Sequence, residues 1–340
     1  MVDAVVVRAT GGPEVLELAR IDVPEPGTGE LLVDVAAAGV NYIDTYHRRG
    51  LYPKDLPFTP GNEGAGVVAA VGPEVTGFAA GDRVAWAEVA GSYAQRAIVP
   101  AHSAFAVPDG VSDEIAAASM LQGLTAHYLV TSTYPVKPGD TVLIHAAAGG
   151  VGLLLVQTAK SRGGKVIATV STAEKEELAR GAGADEVVRY TENDFAEEVE
   201  RITGGVGVAA VYDGVGKDTF DRSLACLARR GMLVLFGASS GPVPPVDPQR
   251  LNAAGSVFLT RPTLGHHLAT PEEFRWRCEE LFSAITGGRL DVRIGGRYPL
   301  ADARKAHEDL EGRRTTGKLL LIPGPAGRPG ARRRSPSRRR

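Results

Sequence analysis

The stretch Thr141-Val-Leu-Ile-His145-Ala-Ala-Ala-Gly149-Gly150-Val151-Gly152 decides the fold. Its first part, Thr141–Ala147, is a continuous apolar run of the kind expected in a strand buried on both faces. After the glycines, Gly150–Arg162 has helical periodicity, with Val151, Leu154, Leu155 and Ala159 on one side. The spacing Ala147-x-Gly149-x-x-Gly152 is a G-x-G-x-x-G fingerprint with alanine first. Gly149 would let the backbone approach a pyrophosphate, and Gly152 would let helix and strand pack closely. The N–H groups and dipole at the helix start would then hold the phosphates. A lone glycine triplet also fits a plain packing turn, but this one opens a long alternating series. Strands are expected at Lys165–Val170, Glu186–Tyr190, Val208–Asp213, Gly231–Phe236 and Ser256–Thr260, and helices at Ala173–Gly181, Asp194–Thr203 and Thr219–Ala228. Strands alternating with helices predict a doubly wound, mostly parallel sheet that binds a nucleotide.

Nineteen residues beyond Gly152 comes Ser171-Thr-Ala-Glu174-Lys175, where an NAD site would place a carboxylate on the ribose 2′-OH. Ser171 takes that place and Lys175 follows one helical turn on, a pairing that favours a 2′-phosphate and hence NADPH. A charge-assisted contact of about 1.5–3 kcal/mol corresponds to a ten- to hundredfold preference. The plainer reading is a solvated Lys175 between Glu174 and Glu176.

Upstream, residues 1 to about 120 read as short strands and turns: Ala4–Arg8, Leu31–Ala38, Gly64–Val71, Arg83–Trp86 and Tyr93–Val99, separated by Gly and Pro clusters. A partly open β-barrel fits this pattern. Downstream, Pro271–Gly287 and Asp302–Glu311 read as helices, and Val292–Pro299 and Lys318–Ile322 as strands that rejoin the first domain. The expected division is 1–122 (catalytic, N-terminal part), 123–288 (Rossmann, NADPH-binding), 289–323 (return to the catalytic domain) and 324–340 (disordered basic tail).

A length of 340 residues suits two domains. The formal charge of -2 announces no nucleic-acid binder, yet Arg328–Arg340 carries seven arginines and no acid, leaving 31 basic against 40 acidic residues elsewhere. Cys226 and Cys278 are too few for a disulfide scaffold or a four-thiolate zinc site. With no apolar run of membrane-spanning length and no signal-peptide pattern at the N-terminus, a soluble cytoplasmic protein is expected.

Several ordered motifs extend this reading. They are Gly39-Val-Asn41-Tyr-Ile-Asp-Thr-Tyr46-His-Arg-Arg-Gly50-Leu-Tyr52-Pro53, Pro60-Gly-Asn62-Glu63-Gly64-Ala-Gly66, Val211-Tyr-Asp213-Gly-Val-Gly216, Leu235-Phe-Gly237-Ala-Ser-Ser240-Gly241, Gly255-Ser-Val-Phe-Leu-Thr260-Arg261-Pro262 and Thr315-Thr-Gly317-Lys318-Leu. With the glycine turn and Ser171–Lys175, they resemble the zeta-crystallin-like quinone oxidoreductase branch of the medium-chain dehydrogenase/reductase superfamily, over essentially residues 1–323. The resemblance implies an α/β protein with a GroES-like barrel domain and a Rossmann domain, the cofactor lying between them, and a homodimer formed through the Rossmann sheets. It carries cofactor contact to Asn41, Tyr46, Thr125, Gly149, Gly150, Val151, Ser171, Lys175, Tyr190, Phe236, Gly237, Ser240, Leu259, Thr260 and Lys318. Asn41, Tyr46 and Tyr52 would face the substrate. Many relatives have Lys where this chain has Gln122, and the basic tail lies outside the family pattern.

Zinc-dependent members of the superfamily use an early Cys and the His of a Gly-His-Glu motif, and here Asn41 and Asn62 stand at those places. No metal is therefore expected. Carbonyl polarisation then falls to hydrogen-bond donors, with Tyr46 and Tyr52 as candidates, unless these are packing aromatics. Asp213 reads as structural and Cys226 as a buried packing residue. The expected activity is zinc-independent hydride transfer from NADPH to a quinone. The alternatives are enone or enoyl double-bond reduction and, from another class, nucleic-acid binding through the tail. A solvated tail is the simpler reading, since it holds no aromatic residue to stack on bases.

Overall fold

The computed structural model describes residues 1–324, so the basic tail beyond that point lies outside the described residues. A hairpin, β1 (Val2–Val7) and β2 (Leu16–Ile21), begins the chain. Next come β3 (Glu30–Val40), α1 (Tyr42–Arg48), β4 (Glu63–Val71), β5 (Arg83–Ala87), β6 (Arg96–Pro100) and β7 (Ala104–Ala106). After α2 (Asp113–Tyr128), the alternating half contains β8 (Thr141–Ile144), α3 (Gly150–Ser161), β9 (Lys165–Val170), α4 (Ala173–Gly181), β10 (Glu186–Arg189) and α5 (Phe195–Thr203). It continues through β11 (Val208–Asp213), α6 (Phe220–Ala225), β12 (Leu227–Leu235), α7 (Gln249–Ala253), β13 (Phe258–Thr260) and α8 (Pro271–Thr286). The chain then returns through β14 (Ile294–Pro299), α9 (Ala303–Glu311) and β15 (Lys318–Ile322).

Six parallel strands form one sheet in the order β10-β9-β8-β11-β12-β13, and seven form the other in the order β14-β15-β3-β4-β5-β7, with β6 also on β3. In the parallel sheet the order reverses between β8 and β11, the point where open α/β sheets bind ligands at their carboxyl ends. β15 pairs antiparallel with β3, so the last described segment of the chain lies in the first domain's sheet.

Two helices differ from the expectation of strands and turns before residue 120. α1 is short and follows β3 directly, with Asp44 accepting a hydrogen bond from the Asn41 amide at 2.9 Å. α2 is capped by Ser112, which accepts from Ile115 N at 3.2 Å, and Asp113 and Glu114 favour its N-terminus. Twelve of its sixteen residues are buried, because it is packed against both the barrel strands and α3. A helix covered on all sides lacks the one-faced stripe by which helices are read. The strand expected over Thr141–Ala147 ends at Ile144, and Ala146 takes a left-handed φ of 50° in the turn that follows.

A cleft between the two sheets

A cavity of about 990 Å³ opens between the carboxyl ends of the parallel strands and the barrel. At its centre lies the glycine turn. Gly149 caps α3 in extended conformation, so the first amides of the helix face the cavity as an anion site. A Cβ on Gly152 would overlap the Ala146 carbonyl and the Ala147 backbone, and one on Gly150 would overlap the Gln122 amide. The turn is closed from the far end of the chain, where Gly317 N donates to Ala148 O at 3.0 Å.

Ser171, Lys175 and Tyr190 line one end. Lys175 Nζ donates to the Arg313 carbonyl at 2.7 Å, and burial pulls the lysine below its ordinary pKa, with Arg313 adding repulsion. Arg313 lines the same end and lies 4.0 Å from Asp218. Ser171, in place of a carboxylate at the end of β9, and the two cations beside it fit a 2′-phosphate, so the residues present suit NADPH.

Asn41, Tyr46, Tyr52, Gln122, Thr125, Phe236, Gly237 and Arg261 line the other end. Tyr46 OH accepts from Ala238 N at 3.2 Å and Tyr52 OH accepts from Arg261 at 3.2 Å, which leaves each hydroxyl proton to be donated. The two rings meet edge to face, 5.4 Å apart. Burial pushes Tyr46 up to about 12, so at neutral pH it is a hydrogen-bond donor that keeps its proton.

Behind this end runs a buried polar network. Asn41 donates to Glu63 at 2.6 Å and accepts from Lys318 at 2.7 Å and from Gln122 at 3.2 Å, while Lys318 pairs with Glu63. Glu63 also accepts from Leu121 N at 2.7 Å. Asp44 accepts from Asn62 at 2.6 Å and from Tyr93 at 3.0 Å, and burial raises it to about 6.

Of the residues singled out in the sequence, Asn41, Tyr46, Tyr52, Thr125, Gly149, Gly150, Val151, Ser171, Lys175, Tyr190, Phe236 and Gly237 line the cavity. Four lie beside it. Ser240 staples its own loop, donating to Val215 O at 2.8 Å and accepting from Asp218 N at 3.0 Å. Leu259 and Thr260 are half-buried on β13, and the next residues, Arg261–Leu264, reach the cavity instead. Lys318 is 1% exposed, in the network behind Asn41. Asp213 is fully committed to the loop after β11, accepting from Val215 N, Gly216 N, Thr219 and Ser223 at 2.7–3.0 Å. Arg313 has no signal in the sequence beyond a basic pair, Arg313-Arg314, ahead of β15. Arg261 stands in the stretch Gly255–Pro262, whose pattern marks the loop and assigns that side chain no role.

Barrel, parallel sheet and cleft define the class: a two-domain, dinucleotide-binding protein of the dehydrogenase type. Residues 27–109 match the alcohol dehydrogenase GroES-like domain, and residues 150–283 match the zinc-binding dehydrogenase family. A mycobacterial structure solved in complex with NADPH is 57% identical, with a TM-score of 0.92 over 95% of this chain and 100% of its own. Quinone oxidoreductase 1 of Escherichia coli is 48% identical over 92% of this chain and 97% of its own length. A 2-haloacrylate reductase from a Burkholderia species is 42% identical over 95% and 99%. The chain belongs to the quinone oxidoreductase branch of the medium-chain dehydrogenase/reductase superfamily.

The matched family's name implies zinc, and the residues here do not fit it. Asn41 and Asn62 are amides, hydrogen-bonded to Glu63 and Asp44, where soft or imidazole ligands would be needed. Among the described residues no group of three or more His, Cys, Asp or Glu is arranged to hold a metal ion.

Proposed function

We infer that the chain is an NADPH-dependent quinone oxidoreductase. The observation that carries this is a single cleft with paired cations, Lys175 and Arg313, at one end and two tyrosine hydroxyls with free protons at the other. NADPH, when bound, supplies the hydride. The α3 amides and the glycine turn hold its phosphates, and Ser171, Lys175 and Tyr190 hold its adenosine end. Tyr46, oriented by Ala238 N, and Tyr52, oriented by Arg261, donate hydrogen bonds to the acceptor oxygen as it gains charge. Water supplies the proton that completes the hydroquinone, because a hydroxyl held near 12 releases its own reluctantly.

NADPH consumption with a small quinone, an enone in parallel and NADH as control tests the reading. Rapid NADPH-selective quinone turnover is expected, and NADPH binding with no quinone consumed would overturn it. One observation favours a second acceptor class. Arg261 lines the acceptor end and has no carboxylate within ion-pair distance among the described residues, which suits a conjugated acid such as an enoate. Turnover of enoates and not of quinones would select this reading.

We also propose a homodimer that joins the parallel sheets edge to edge. β13 is the edge strand of that sheet, and Phe258 on it is 55% exposed. Light scattering should give twice the chain mass for the protein and a shift toward monomer for Phe258→Asp. A monomeric parent would refute it. No helix among the described residues is long and apolar enough to cross a membrane. A cytoplasmic setting is our reading from the two buried free thiols, Cys226 and Cys278. Nucleic-acid binding through the tail is the remaining reading, and a gel shift comparing the full chain with one ending at Pro323 decides it.

A further inference from the structure

The Asn41 carboxamide lines the acceptor end of the cleft, and its orientation is dictated by charge. Oδ1 faces two donors, Lys318 Nζ at 2.7 Å and Gln122 Nε2 at 3.2 Å, while Nδ2 faces the Glu63 carboxylate at 2.6 Å. Rotating the amide by half a turn would set its NH2 against an ammonium and a second NH2, and its oxygen against a carboxylate. All three contacts would become repulsive. With Lys318 1% and Glu63 0% exposed, no solvent is at hand to relieve them. One Nδ2 hydrogen is committed to Glu63, and the other has no partner among the described residues.

We propose that Lys318 is a positioning residue that acts through Asn41: its buried ammonium locks the carboxamide so that Asn41 presents a donor, and not an acceptor, to the nicotinamide–ribose half of NADPH. The inference rests on the NADPH reading. The opposite end of the cleft takes the adenosine and 2′-phosphate, so the half of the cofactor meeting Asn41 is the one whose ribose hydroxyls and carboxamide oxygen can accept a hydrogen bond. Gln122 corroborates the arrangement. It turns its NH2 toward Asn41 Oδ1 and leaves its own Oε1 buried with no partner among the described residues, a cost consistent with a fixed acceptor face on Asn41.

The same geometry supplies the test. The Gln122 amide already reaches Asn41 Oδ1, and its neighbour Leu121 already donates to Glu63. A lysine at 122 can therefore deliver an ammonium to the same atom and balance the same carboxylate. Binding of NADPH and of 2′,5′-ADP, which lacks the nicotinamide riboside, is measured by calorimetry for the full chain, Lys318→Met and Gln122→Lys/Lys318→Met, with thermal melts alongside. Lys318→Met should weaken NADPH by roughly tenfold or more, the loss of one oriented hydrogen bond, and leave 2′,5′-ADP within about twofold. The double variant should recover most of the NADPH affinity. Unchanged NADPH affinity in Lys318→Met, or parallel loss of both ligands without recovery, overturns the proposal. If Lys318→Met does not fold, Glu63→Gln/Lys318→Met removes both buried charges together. Selective loss of NADPH in that pair supports the lock, and unaltered NADPH binding overturns it. Failure of the parent chain to bind NADPH would instead sink the cofactor reading.

Discussion

Cofactor selectivity should rest on two cations that lie far apart in the sequence. Lys175 sits in the first turn of α4 and Arg313 in the loop ahead of β15, and the lysine ammonium donates to the arginine carbonyl at 2.7 Å. Both line the cavity beside Ser171. A charge-assisted hydrogen bond to a phosphate contributes about 1.5–3 kcal/mol, and the lower end applies because both side chains are partly in solvent and screened. Lys175→Ala should therefore cost about 1.5 kcal/mol, roughly tenfold in the NADPH dissociation constant, with Arg313 still neutralising part of the phosphate. Arg313→Ala should cost a similar amount, and the double variant about 3 kcal/mol, roughly a hundredfold. NADH, which has no 2′-phosphate, should bind each variant as it binds the parent. Raising the salt from 0.05 to 0.5 M should compress the parent's preference and leave the double variant's nearly flat. The assay is calorimetric titration with both cofactors at two salt concentrations. Equal losses for NADPH and NADH, or a double variant that keeps its preference, would refute the reasoning.

Tyr46→Phe should lower quinone kcat/KM roughly tenfold, one hydrogen bond in the transition state, and change NADPH affinity by less than about threefold. Because burial holds Tyr46 near 12, the parent's rate profile should show no tyrosine ionisation between pH 6 and 9. Gly152→Ala should destabilise the fold by about 1–3 kcal/mol through overpacking against Ala146 and Ala147, seen in denaturant melts. Gly149→Ala, whose Cβ meets only Ala146 O at 3.1 Å, should be milder, and a harsher effect there would contradict the packing account. Asp44, raised by burial from 3.8 to about 6, holds its proton more tightly folded than unfolded. Its contribution to stability is present below about pH 4 and is lost as pH rises through about 6, on the order of 3 kcal/mol. Melts of the parent and of Asp44→Asn from pH 4 to 8 should therefore diverge across that window, and parallel curves would show that Asp44 does not titrate there.

What the sequence made legible was local. Thr141–Gly152 announced a strand, a turn and a helix because an apolar run, three small residues and a 3.6-residue period lie within about twenty positions. Helix α4, strand β9 and strand β11 have the expected limits for the same reason. α2 was not legible, since its alanines are buried on every side and carry no stripe. The cleft follows the same division. Ser171 and Lys175 sit at a fixed distance from the glycines, so spacing alone finds them. Arg313 is brought to Lys175 only because β15 returns to pair with β3 and Gly317 docks on Ala148, a closure across more than 160 positions that no local pattern encodes. Lys318 shows the opposite hazard. The family resemblance puts it at the cofactor, yet its side chain is buried behind the cleft wall, against Glu63 and Asn41. In a strand, alternate side chains face opposite sides, so a shift of one residue separates a contact from its support. The site is thus set by two kinds of information: turn chemistry, which is written in the sequence, and sheet register, which exists only once the chain has closed on itself.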